Sequence, residues 1–222
     1  MKINEKLTLS VTEENSKPID SVRYYLDGKR LPGNKDVTLN TSKLGAHAVS
    51  ATVFYGEEQK KLTNTILLFA EKSPEIYSYE IVNEYPHDEN AFTQGLEYHN
   101  GFLYESTGQN GESTLRKVEL KTGKVLQKID LDKRYFGEGM TIYNDKVYML
   151  TWQSGKGFVF NLESFEKEKE FKYDQSKQGW GLTHNGEKLI KSDGTDKIWF
   201  LDPETGTEES HIEAYTIDRA VP

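Results

Sequence analysis

Three short segments of the chain each combine a glycine with a preceding side chain that could take part in chemistry. The three pairs are Gln94-Gly95, Glu138-Gly139 and Trp180-Gly181, and they follow one another at intervals of 44 and 42 residues. A carboxylate can move protons, an amide can donate and accept hydrogen bonds, and an indole offers a broad apolar face. If the three side chains converge, they predict a small pocket in which one carboxylate transfers protons.

The spacing of these pairs indicates how a fold would bring them together. A period of about 40–45 residues filled with strand-forming sequence is typical of the blades of a β-propeller. Matching positions on the innermost strands of successive blades face one central channel, so the amide, the carboxylate and the indole are expected to share it. Each period contains four predicted strands, at 93–99, 102–107, 114–120 and 125–131, at 138–143, 146–152, 158–162 and 168–173, and at 181–184, 188–192, 197–201 and 207–214.

Three blades do not close a ring, because propellers contain about four to eight. The alternating segment 77–85 precedes the first blade and is predicted to be a leading strand. The chain stops soon after residue 214, where a further blade would begin. We therefore expect a truncated propeller that lacks its C-terminal blades and has open sheet edges through which chains could associate.

Residues 1–72 have a different organisation. Short alternating runs, such as 22–26 and 46–55, are separated by turn signals that include Asp27-Gly28. No stretch shows a sustained helical period. Several short strands in about 70 residues favour an immunoglobulin-like β-sandwich. A second domain, the propeller region, is expected to occupy residues 76–222.

Composition excludes several classes of function. The net charge is −8 and no basic stripe is present, so nucleic acid is not an expected partner. No apolar run reaches the length of a membrane span. The absence of cysteine excludes disulfides and thiolate chemistry. The first residues lack the apolar stretch of a signal peptide, and the domain composition favours an extracytoplasmic protein, periplasmic or secreted, whose signal has been removed.

Several motifs of the repeat region resemble those of the glutaminyl cyclases of the plant and bacterial type, also called glutamine cyclotransferases. The resemblance covers about residues 76–222, and the leading sandwich looks like the extra domain of some secreted bacterial members. The motifs are 92–96 (FTQGL), 104–108 (YESTG), 113–116 (STLR), 136–139 (FGEG), 180–183 (WGLT) and 192–195 (SDGT).

This resemblance implies a five-bladed propeller that converts the N-terminal glutamine of peptides or proteins to pyroglutamate and releases ammonia. It also implies that catalysis requires no metal and no other cofactor. By the family pattern Glu138 is the catalytic acid and base. The pocket residues carried over in the same way are Phe92, Gln94, Phe136, Trp152 and Trp180.

Two other functions remain open from the residues alone. A propeller can be a non-catalytic module that binds peptides or glycans, because a fold does not fix a function. A metal-dependent, lactonase-like hydrolase is the second alternative, although the three inner positions offer it a single carboxylate. Outside this set, His87 is predicted to lie in a solvated loop, residues 193–196 to form a turn rather than a calcium site, and Trp199 to pack in the core.

Overall fold

The computed structural model describes residues 1–32, 36–39 and 41–222, and all of their regular structure is β-strand. The chain divides into two compact units. The first contains residues 1–76 and 213–221, and the second contains residues 77–212 with Pro222. None of the described residues forms a helix of the length and hydropathy that a membrane span requires.

The first unit contains a four-stranded and a two-stranded antiparallel sheet, in the orders β3-β2-β5-β6 and β1-β4. Leu9, Val37 and Val49 form a buried apolar cluster in this unit. Residues 213–221, which overlap the end of the last predicted strand and continue beyond it, belong to this unit, where the Ala70 amide donates to the Thr216 carbonyl. The strands are β1 (Lys6–Thr8), β2 (Ser21–Leu26), β3 (Lys29–Arg30), β4 (Asp36–Thr38), β5 (Gly45–Tyr55) and β6 (Glu58–Leu68).

The second unit consists of three four-stranded antiparallel sheets in succession, in the orders β10-β9-β8-β7, β11-β12-β13-β14 and β15-β16-β17-β18. These sheets resemble propeller blades, and the twelve predicted strands of the repeats are confirmed to within two residues at each end. The strands are β7 (Thr93–His99), β8 (Phe102–Thr107), β9 (Thr114–Glu119), β10 (Val125–Asp130), β11 (Gly137–Tyr143), β12 (Lys146–Thr151), β13 (Lys156–Asn161), β14 (Lys167–Lys172), β15 (Leu182–His184), β16 (Leu189–Ser192), β17 (Lys197–Leu201) and β18 (Glu208–Glu213).

The middle sheet buries both of its faces, one against each neighbouring sheet. Val147 and Met149 of β12 belong to a core shared with the first sheet. Tyr148 and Leu150 alternate with them and belong to a core shared with the third sheet. Because successive side chains of a strand point to opposite faces, one apolar run supplies both interfaces.

The repeated glycines mark places where the inner strands of neighbouring sheets approach closely. A Cβ atom at Gly95 would lie 2.5 Å from the Met140 amide nitrogen of the next inner strand. A Cβ atom at Gly139 would overlap the Trp180 carbonyl oxygen in the same way. The 44- and 42-residue intervals therefore reflect side-by-side packing of β7, β11 and the segment that leads into β15.

One predicted strand is wrong. Residues 77–85 form no regular structure, and the side chains of Tyr77, Tyr79 and Ile81 are exposed. The segment has the alternation of a strand, but a strand also needs a hydrogen-bonded neighbour. None of the described strands pairs with it.

Candidate active site

Glu138 lies on the inner strand β11, and hydrogen bonds to both neighbouring sheets fix the backbone around it. The Ser106 hydroxyl of the first sheet donates to the Glu138 carbonyl oxygen at 2.6 Å. The Gly139 amide donates to the Trp180 carbonyl oxygen at 2.8 Å. On the other side of Glu138, the Gly137 amide donates to the Ser113 hydroxyl at 2.9 Å. These bonds, together with the close glycine contacts, determine where the Glu138 side chain leaves the strand.

Among the buried acidic residues that the structure describes, Glu138 is the one whose carboxyl group has no hydrogen bond or ion pair to another described residue. Glu105 accepts from the Thr93 hydroxyl, Glu208 pairs with Lys191, and Asp193 accepts from the Trp199 indole. Glu138 is 9% exposed. Burial without a partner raises its pKa from 4.5 to about 7. A group with such a pKa can both take up and release a proton near neutral pH.

Four of the five predicted pocket residues form one row of aromatic rings. The rings of Phe92 and Phe136 meet edge to face at 6.1 Å, and those of Phe136 and Trp152 at 5.6 Å. The indole nitrogens of Trp152 and Trp180 both donate to the side-chain oxygen of Gln178. Phe92, Trp152 and Trp180 keep part of their surface open to solvent. The row therefore presents apolar surface to which a small ligand could bind.

The fifth predicted pocket residue, Gln94, lies beside the same row. The Phe136 ring and the Gln94 side chain both lie against Gly108, in the space that a side chain at that position would fill. Gln94 therefore lies close to Phe136. Gln94 is partly buried, and its amide makes no hydrogen bond to any described residue. That amide is therefore free to bond to a ligand.

Sequence reasoning missed Gln178 and the buried pair of Lys191 and Glu208. Gln178 stands two residues before Trp180 in the same glycine-rich segment, which is the local signal that could have found it. Lys191 has the alternation of a core position in β16, and its ammonium lies 3.1 Å from Glu208 with both side chains fully or almost fully buried. Burial lowers the pKa of Lys191, and the Glu208 carboxylate partly offsets that effect.

The remaining sequence expectations have clear outcomes. His87 lies in an exposed loop as predicted, and its Nε2 atom is 2.8 Å from the buried Glu105 carboxylate. Residues 193–196 form a turn in which Asp193 accepts from the Thr195 amide at 3.0 Å, and Trp199 is buried, so the predicted turn and the predicted core position of Trp199 are confirmed. No group of three or more histidine, aspartate or glutamate side chains that could hold a metal occurs in residues 1–32, 36–39 and 41–222.

Comparison with known proteins identifies relatives of the repeat region. A glutaminyl-peptide cyclotransferase of Arabidopsis thaliana is 43% identical over 145 residues, which are 64% of this chain and 45% of that protein. The crystal structure of Myxococcus xanthus glutaminyl cyclase superposes with a TM-score of 0.58 at 32% identity, over 64% of this chain and 59% of that chain. The chain thus spans about half the length of these relatives.

The family match itself is broader than the repeats. It begins at residue 48, within strand β5 of the first unit, and continues to residue 222. It therefore includes all three sheets of the second unit and the site around Glu138. The chain belongs to the glutamine cyclotransferase family.

Proposed function

We propose that this protein is a glutaminyl-peptide cyclotransferase, which converts the N-terminal glutamine of peptides or proteins to pyroglutamate with release of ammonia. The observation that carries the proposal is the largely buried residue Glu138, whose carboxyl group has no partner among the described residues and a pKa raised to about 7. Membership of the glutamine cyclotransferase family and the name of the Arabidopsis relative support the same reaction.

The chemistry needs one group that moves protons in both directions. The substrate α-ammonium has a pKa of about 8 and must lose a proton before its nitrogen can attack. That first proton goes to solvent. Glu138 as the carboxylate then takes the second proton, which the amine nitrogen loses as it forms a bond to the side-chain amide carbon of the same residue. The protonated Glu138 then donates to the departing nitrogen, the old C–N bond breaks, and ammonia leaves. Because the nucleophile and the electrophile share one residue, their proximity is largely built in.

The side chains of the aromatic row and of Gln94 fit the remaining requirements of this reaction. The rings of Phe136, Trp152 and Trp180 offer apolar surface to the aliphatic part of a glutamine side chain. The unpaired amide of Gln94 is a donor for the oxyanion that forms when the carbonyl carbon becomes tetrahedral. Neither task uses a metal or another cofactor.

Mass spectrometry of a Gln-Xaa peptide incubated with the chain tests the proposal. We expect the peptide to lose the mass of one ammonia, with and without a chelator, and we expect Glu138→Gln to abolish the conversion. Glu112→Gln is the matched control, since Glu112 is exposed and its carboxylate has no partner among the described residues. Binding without conversion would favour a non-catalytic module, and conversion lost on chelation would favour a metal-dependent enzyme. Either result would refute the proposal.

We also propose a finer description of the architecture. The three successive four-stranded sheets support a five-bladed propeller, of which residues 76–222 supply three blades. The two sheets of the first unit around Leu9, Val37 and Val49 support an immunoglobulin-like β-sandwich over residues 1–72. Such sandwiches are common in cell-surface proteins, so we place the protein outside the cytoplasm of a bacterium, either in the periplasm or secreted. Fractionation of cells that express the natural gene tests this location.

A further inference from the structure

Gln178 connects the two tryptophans of the candidate site through a single atom. Its Oε1 atom accepts from the Trp152 indole at 2.9 Å and from the Trp180 indole at 2.8 Å. Trp152 follows strand β12 of the middle sheet, whereas Trp180 precedes strand β15 of the third sheet. One amide oxygen therefore joins side chains that neighbouring sheets supply.

The chemistry of the three groups determines this arrangement. An indole N–H can only donate, and a carbonyl oxygen has two lone pairs with which to accept. Two indole donors therefore saturate the Gln178 oxygen and leave one possible orientation for its amide group. Trp152 is 36% exposed and Trp180 is 46% exposed. Packing, such as that of the Phe136 ring on Trp152 and of Gly194 beside Trp180, covers only part of each ring, and the shared hydrogen bonds fix the two rings further.

The backbone of Gln178 is itself anchored by buried groups. The Lys191 ammonium donates to the Gln178 carbonyl oxygen at 3.0 Å, and the next amide, that of Gly179, donates to the Trp152 carbonyl oxygen at 3.0 Å. Two residues earlier, the Ser176 amide donates to the Glu208 carboxylate at 3.0 Å. The segment that carries Gln178 thus rests on the buried pair of Lys191 and Glu208.

From this geometry we infer that Gln178 is a positioning residue of the proposed cyclotransferase. It holds Trp152 and Trp180 as one rigid wall against the glutaminyl side chain of the substrate. The inference rests on the proposed function for its substrate, but the hydrogen-bond arrangement does not. Removing the Gln178 acceptor should loosen both rings, weaken substrate binding and leave the proton transfer by Glu138 largely intact.

Three variants separate this role from a general structural one. Gln178→Leu removes the acceptor at similar volume, whereas Gln178→Glu keeps an oxygen that can accept from both indoles. Gln153→Leu is the matched control, because Gln153 is exposed beside Trp152 and has no hydrogen bond among the described residues. We expect Gln178→Leu to raise KM about tenfold with a smaller change in kcat, and Gln178→Glu to restore a KM near that of the wild type.

The indole resonances of the protein provide a readout that does not depend on activity. The chain has three tryptophans, and the indole of the third, Trp199, donates to Asp193 at 2.8 Å and not to Gln178. In a proton–nitrogen correlation spectrum, Gln178→Leu should move the Trp152 and Trp180 indole signals upfield and leave that of Trp199 in place. Gln178→Glu should keep all three as hydrogen-bonded signals.

The spectra and the KM values together decide whether Gln178 positions the two tryptophans. Unmoved Trp152 and Trp180 signals in Gln178→Leu would overturn the shared acceptor, and moved signals with an unchanged KM would overturn the positioning role. A displaced Trp199 signal would indicate that this variant has lost its fold, and Gln178→Met then takes its place. A wild-type chain that neither binds nor converts a Gln-Xaa peptide would instead refute the proposed function, which the spectra distinguish from failure of the shared hydrogen bonds.

Discussion

Replacing Glu138 with glutamine should stabilise the protein above neutral pH while it removes the proposed acid and base. Glutamine matches the protonated carboxyl group in shape and charge, so it occupies the buried site without the cost of a desolvated anion. Glu138 binds its proton more tightly in the folded chain than in the unfolded one, because burial raises its pKa from 4.5 to about 7. Its contribution to stability is therefore fully present below pH 4.5 and is lost as the pH rises to about 7.

The size of the effect follows from the two pKa values. The rise of the Glu138 pKa from 4.5 to about 7 corresponds to a free energy of about 3 kcal/mol. Ionised Glu138 destabilises the folded state by this amount once the pH exceeds both values. At about pH 8.5 we expect Glu138→Gln to be more stable than the wild type by about 3 kcal/mol, and at about pH 5 by less than about 1 kcal/mol. At the higher pH this corresponds to a shift of about 1 to 2 M in the urea midpoint.

Urea unfolding followed by tryptophan fluorescence measures this difference in stability for the second unit, which contains Glu138. All three tryptophans, Trp152, Trp180 and Trp199, lie in the second unit together with Glu138. The control Glu112→Gln should leave the midpoint unchanged at both pH values. Midpoints that coincide for the wild type and Glu138→Gln at about pH 8.5 would show that the carboxylate is not desolvated, which would refute the electrostatic reasoning behind its role.

Three further perturbations test other parts of the structure. Ser106→Ala removes the hydrogen bond to the Glu138 carbonyl oxygen, so calorimetry should show a loss of about 1 kcal/mol, and kcat should fall more than KM rises. Lys191→Met leaves the Glu208 carboxylate buried without its cation, so unfolding should become easier by about 3 to 5 kcal/mol, whereas adding Glu208→Leu should recover part of that loss. Tyr79→Lys places a charge among the exposed apolar side chains of the segment before the first sheet, so sedimentation velocity should show less self-association than in the wild type.

Much of the second unit could be predicted from the sequence, because its determinants are local. The alternation of apolar and polar residues, interrupted by turn residues such as Gly123 and Gly206, marks strand after strand along the chain. The recurring glycines at 95 and 139 also place Gln94 and Glu138 at equivalent positions of successive sheets. The same local reasoning failed at 77–85, where the alternation is present but no described strand pairs with it.

The site itself shows where sequence reasoning stops. From the sequence, Glu138 is predicted to be a carboxylate at an inner position, and a family resemblance predicts Trp152 and Trp180 to be pocket aromatics. Only the tertiary structure shows that Glu138 is largely desolvated while its carboxyl group has no partner among the described residues, and that Gln178 accepts from both indoles. The residues that desolvate Glu138 and those that supply hydrogen-bond partners in the site are far apart in the chain. Local sequence patterns therefore determine the strands, whereas packing between sheets determines the pKa of Glu138 and the geometry of the site.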